Sequence, residues 1–187
     1  MTTATSQAAS STRAISVREY LDTLVGIIRS PSAFYKSVQL EQETRKALTF
    51  LLISSVFHAT VSMSYFYENS LLMGGIYLLN DIFMPVLAAV FSFLLAGMLQ
   101  SSSTAFLRIL SIYAYASGAI MVISWIPSLG MILEPIRAVL VIIGLKKACD
   151  IGWIKAIFIV ACSGLLLLVF FWSIAPVLST MKTMFFT

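Results

Sequence analysis

ALTFLLISSVFHATVSMSYFY, residues Ala47–Tyr67, contains no Asp, Glu, Lys or Arg. About 20 predominantly apolar residues in a helix cross the roughly 30 Å hydrocarbon core of a bilayer. This run has that length, and its Ser, Thr and His side chains can bond within or between helices. Four further stretches qualify or nearly qualify: Gly75–Leu99, Ala105–Ile126, Ser128–Leu145, which is shorter and contains Glu134, Pro135 and Arg137, and Ile154–Ala175. The segments between them (ENSLLM, QSSST, the Ile126-Pro127 turn and KKACDIGW) are too short for a soluble domain. The expected fold is an all-α integral membrane protein with five transmembrane helices, preceded by one or two short amphipathic interfacial helices.

Composition points the same way. The 187 residues are 59% hydrophobic and 11% charged, with a mean hydropathy of +0.96. A soluble domain carries about 25% charged residues, and a chain this size leaves much of its surface exposed. Lipid is the solvent that suits such a surface. Cys149 and Cys162 form neither a disulfide framework nor a metal-ligand spacing, so they read as small buried hydrophobes.

The opening residues, MTTATSQAASST, are small and polar and lack the apolar core of a secretory signal. They read as a disordered tail. The next segment, SVREYLDTLVGIIRS, starts with a Ser16/Glu19 capping box. Val17, Tyr20, Leu21, Leu24 and Ile28 then share one helical face, with Arg18, Glu19, Asp22 and Arg29 mostly opposite. Ser30 and Pro31 mark a second helix start, with Phe34, Tyr35 and Val38 as its apolar contacts. This face either lies on a leaflet or packs on the protein's own cytoplasmic end; the two readings are compatible. The layout is therefore a tail over 1–13, a cytoplasmic amphipathic segment over 14–46, the five-helix domain over 47–176 and a short tail over 177–187.

Orientation follows from Lys and Arg in the loops. Arg13, Arg18, Arg29, Lys36, Arg45 and Lys46 precede the first span, Arg108 flanks the second loop, and Lys146, Lys147 and Lys155 surround the fourth. The first and third loops hold none, and the C-terminal tail has Lys182. Five spans put the basic segments on one side, with the N-terminus cytoplasmic and the C-terminus outside. Four spans break the pattern unless the fourth segment is re-entrant.

The run YAYASGAIMVISWIPSLG, Tyr113–Gly130, followed by Ile143-Gly144-Leu145 and then Lys155-Ala156, resembles the Yip1 domain family. The upstream Ser30-Pro31-Ser32-Ala33-Phe34 and Ala47-Leu48-Thr49-Phe50 resemble the family's entry to its first span. The resemblance covers about Val17 to Phe171 and rests on the order and spacing of short motifs. It implies five spans and a cytoplasmic N-terminus. Family members often carry a tryptophan or an aliphatic residue where this chain has Glu134-Pro135. The long N-terminal region of eukaryotic members, which are linked to Rab-type GTPases, is missing, so that role is not carried over. The chain resembles a short prokaryotic-type member of an inner membrane.

Polar groups at membrane depth are the functional candidates. Glu134 and Arg137 are three apart and can pair on one helix face. Pro135 between them frees a backbone carbonyl that Arg137 can satisfy. The pair is either a structural one near the outer boundary, with Arg137 snorkelling, or part of a polar cavity binding an ion or a lipid headgroup. Asp81 is expected at a similar depth, either paired with Arg137 or in the outer interface. His58, the one histidine, is expected to bond across helices, since no clear carboxylate is expected at its depth. Ala114 and Gly118 form a small-xxx-small packing face. Trp125, Trp153 and Trp172 read as interface anchors or lipid-facing fillers.

The motifs of metalloproteases, phosphate-binding loops, serine hydrolases and paired cysteines are missing, so no enzyme and no cofactor is expected. The net charge of +4 is interleaved with acids, unlike a nucleic-acid surface. The expected role is a scaffold, adaptor or membrane-organising subunit. Its partners are membrane lipids, other membrane proteins or a second copy. The alternative is a small transporter, channel or lipid-handling protein using the site around Glu134 and Arg137.

Overall fold

The computed structural model describes residues 16–38, 42–66, 70–99, 104–126 and 129–186. These form seven helices: α1 (Val17–Arg29), α2 (Pro31–Ser37), α3 (Gln42–Phe66), α4 (Leu71–Leu99), α5 (Phe106–Ser124), α6 (Gly130–Ala148) and α7 (Trp153–Phe186). No strand occurs among the described residues. The expected tail over 1–13 lies outside them. The segment set apart as a tail over 177–187 continues α7 as helix to Phe186.

Among the described residues four helices are long and apolar enough to cross a membrane: Thr44–Tyr65, Leu71–Leu99, Phe106–Ser124 and Trp153–Ser173. By length and composition the count is thus four, where five were expected. The difference is α6, whose 19 residues include Glu134, Arg137, Lys146 and Lys147.

The central element is α5. Every residue from Ile109 to Met121 is buried, as expected for a helix that is apolar all round. It packs against α3, α4 and α6, while α7 closes on α4 and α6. Small residues set the approach distances. A Cβ added at Gly118 would meet Phe50 Cε1 at 2.8 Å, and one at Gly144 would meet Ile112 Cγ2 at 2.4 Å. Gly118 therefore serves packing of α5 on α3 within the chain. Ala114, one turn away, is fully buried.

The helices alternate in direction, so the starts of α3, α5 and α7 share one end with the C-termini of α4 and α6. Contacts across this end tie it together. Lys155 Nζ donates to the Leu99 carbonyl (3.1 Å) and Arg108 Nη1 to the Ala148 carbonyl (3.2 Å). Both cations thus cap the negative end of a neighbouring helix. Ser111 Oγ donates to Thr44 Oγ1 at 3.0 Å. Asp150, at φ 53°, turns the chain after α6, and Lys146 then lies 4.7 Å from the Trp153 ring centroid.

The two short helices dock on the same end. Ser16 Oγ accepts from the Glu19 N–H at 3.2 Å. The Glu19 carboxylate, instead of closing a capping box, pairs with Lys46 at 3.3 Å. Pro31 opens α2, but the Ser30 side chain makes no capping bond. Its N–H closes α1 on Gly26 O at 3.1 Å.

Candidate functional site

The apolar arc of α1 is divided in two. Tyr20, Leu24 and Ile27 pack onto the bundle core. The Tyr20 ring lies 4.8 Å from Phe50, and its hydroxyl is 2.9 Å from Ser54 Oγ. Val17, Leu21, Val25 and Ile28, spaced as consecutive turns of a second stripe, are 50–78% exposed. The single face expected of Val17, Tyr20, Leu21, Leu24 and Ile28 is thus two faces, one docked and one open. Ile27 and Val25 were not among the expected contacts. Phe34 of α2 stacks edge-on against Tyr115 at 5.0 Å. Tyr35 beside it is fully buried, and its hydroxyl has no hydrogen-bond partner among the described residues. Burial, with Tyr115 adding to it, pushes the Tyr35 phenol well above its ordinary range, so it stays protonated.

Deeper in the bundle, His58 Nδ1 and Asp81 Oδ2 are 2.6 Å apart across α3 and α4, with side chains 13% and 7% exposed. The Tyr77 ring lies edge-on to the imidazole at 6.1 Å. The carboxylate thought missing at the depth of His58 is therefore Asp81. Of the two places expected for it, paired with Arg137 or in the outer interface, it takes neither, for a geometric reason. Helix α4 begins at Leu71, four residues before the expected Gly75. That lowers Asp81 by about one turn, level with His58 on the antiparallel α3. Pro85 lacks an N–H for the carbonyl four residues back, that of Asp81 itself.

Arg137 pairs instead with Glu134 on its own helix. This pair helps line a partly open cavity of about 200 Å³ between α4, α5, α6 and α7. Met84, Pro85 and Ala88 form one wall, Ala138 and Val141 another, and Val160, Gly164 and Leu167 a third. Tyr113, Ser117 and Ser163 supply hydroxyl groups. The Tyr113 hydroxyl is 2.6 Å from Ser92 Oγ and 3.3 Å from Ser163 Oγ. It thereby joins α4, α5 and α7 through a buried network, where an unpaired hydroxyl would be costly. Sequence reading missed this network, because serines in apolar helices carry no signal of their partner. Among the described residues no group of three or more His, Cys, Asp or Glu side chains could hold a metal. Cys149 is buried, and burial pushes its thiol up to about 12, against a smaller opposing effect of Arg108.

Compared with known proteins, the chain matches the family model of the Yip1 domain over residues 25–174. That range runs from the middle of α1 into α7. No curated protein and no solved structure matches it.

Proposed function

The chain belongs to the Yip1 domain family, and from that premise we propose that it is a non-enzymatic membrane scaffold or adaptor whose contact surface is the open stripe of α1. The observation that carries this reading is the division of the apolar arc. Half of it is used for docking, and Val17, Leu21, Val25 and Ile28 are left exposed. Single exposed apolar residues are ordinary, but a continuous stripe signals a contact. Arg18 and Arg29 are also exposed on this helix. Such a helix suits the level of the lipid headgroups, with apolar side chains in the acyl boundary and guanidinium groups near phosphate.

In this reading α6 also crosses, as the fourth of five spans. Leu133, Leu140, Val141 and Leu145 turn inward, whereas Ile132, Ile136 and Val139 are exposed, as on a helix between protein and lipid. Crossing by α6 keeps the basic loops on one side. That supports a cytoplasmic N-terminus and an external C-terminus in a prokaryotic inner membrane. The partners are lipids, other membrane proteins or a second copy, with no nucleic acid and no cofactor.

The experiment is extraction into native lipid nanodiscs, comparing the wild-type chain with Leu21→Glu/Val25→Glu. A protein recovered in stoichiometric amount with the wild type and lost with the variant supports the scaffold. Identical recoveries, or no companion with either, refute it.

A second reading, handling of a small polar or lipid molecule, is favoured by the cavity beside Glu134 and Arg137. In a flux assay on proteoliposomes it requires loss of transport in Glu134→Gln and Arg137→Gln. Full transport in both removes the pair from any pathway.

A further inference from the structure

We infer that the cavity bordered by Glu134 and Arg137 is a subsite for a zwitterion carrying an ammonium and a phosphate, the headgroup chemistry of an ethanolamine phospholipid. This rests on the second reading above, that the cavity holds a ligand.

Charge decides the ligand class. Glu134 and Arg137 are the charged residues among those lining the cavity, so the site is formally neutral. A free cation would gain Glu134 but meet Arg137, and a free anion would meet the reverse. A zwitterion can exchange the Glu134–Arg137 contact for one partner on each side chain while the site stays neutral, through charge-assisted hydrogen bonds. Both side chains are reachable: Glu134 is 60% and Arg137 31% exposed.

The order of groups along α6 supplies the orientation. Glu134 is nearer the start of the helix, and Arg137 lies about one turn deeper. Ala138 and Val141 follow on the cavity wall. An ethanolamine phospholipid presents ammonium, phosphate and then apolar chain in the same sequence from the membrane surface inward. The ammonium falls to Glu134 and the phosphate to Arg137, whose planar fork suits phosphate oxygens. The start of the chain meets Val141, Val160 and Leu167.

The test reconstitutes the whole chain in nanodiscs of equal phosphatidylethanolamine, phosphatidylcholine and phosphatidylglycerol. The protein is re-extracted and its retained lipids are read by native mass spectrometry. The expected result is enrichment of phosphatidylethanolamine by roughly tenfold, the discrimination of one charge-assisted hydrogen bond. Enrichment should be lost in Glu134→Gln, retention of all three lipids should fall in Arg137→Gln, and enrichment should be lost in Ala88→Leu, which adds bulk at a buried position of the cavity wall and leaves the pair in place. Unfolding midpoints of all three are measured alongside. Binding of free phosphoethanolamine to delipidated protein, without lipid retention, upholds the same chemistry and assigns it to a soluble compound. Equal retention of the three lipids, or a preference that survives both charge variants, overturns the inference. If that retention is still abolished by Ala88→Leu, a ligand cavity without headgroup selectivity remains. If Ala88→Leu changes nothing and no solute binds, the cavity reading falls with it.

Discussion

His58 and Asp81 join α3 to α4 through a contact of 2.6 Å between Nδ1 and Oδ2, largely shielded from the surroundings. Both helices qualify as spans, so the contact ties one span to another. Removing one partner leaves the other without its hydrogen bond, a loss of about 1–3 kcal/mol. His58→Ala and Asp81→Ala should each lower the unfolding midpoint in detergent. The double variant His58→Leu/Asp81→Leu should recover part of the loss, because replacing both partners with apolar groups avoids the orphaned one. Wild-type melting of either single variant would show that the pair contributes nothing.

The contact of α5 with α6 depends on a missing side chain. At Gly144 a Cβ would lie 2.4 Å from Ile112 Cγ2, and Ile112 is fully buried, so it has little room to yield. Gly144→Ala should destabilise the bundle by about 1–3 kcal/mol, the usual cost of overpacking. Combined with Ile112→Ala, which deletes the obstructing methyl, its cost should fall well below the sum of the two single variants. Additive losses would contradict the crossing.

Cys149 should resist alkylation in the folded protein. The thiolate is the reactive species, and the thiol is pushed up to about 12 by burial. Below that pH the reactive fraction drops about tenfold per unit. In a Cys162→Ser background, a water-soluble maleimide should label the denatured chain at pH 7 and leave the folded one unmodified. The folded-state rate should climb with pH and show no plateau near the ordinary thiol range. Fast labelling at pH 7 would mean that this end of α6 is open.

The two halves of α1 should respond differently to charge. Leu24 packs on the core, so Leu24→Asp should lower the unfolding midpoint in detergent. Leu21 and Val25 are exposed, so Leu21→Asp and Val25→Asp should leave it within the scatter of surface substitutions, about 0.5 kcal/mol. Equal losses from both halves would mean that α1 is not docked by one side.

The elements that local chemistry dictates were legible in the sequence. The apolar runs mark the qualifying spans, Ser16 marks the start of α1, and the spacing of Glu134 and Arg137 puts them on one turn. Gly118 reads as a close-approach residue, though nothing local names Phe50 as what approaches. Other features needed the tertiary arrangement. Assigning Leu71, Leu72 and Met73 to a connection raised Asp81 by a turn and hid its level with His58. The apolar arc of α1 is continuous in sequence. Which half docks is settled by Tyr20 reaching Ser54, 34 residues away. The cavity likewise draws its hydroxyl groups from Tyr113 and Ser163, 50 residues apart.

The central claim, that the open stripe of α1 is an occupied contact surface, is tested most directly by photocrosslinking in native membranes. A photoreactive residue is introduced at Leu21 in one variant and at Leu24 in another. The expected result is lipid or protein adducts from position 21 and crosslinks within the chain from position 24. Position 21 yielding no adduct, or both positions crosslinking only within the chain, would contradict the claim.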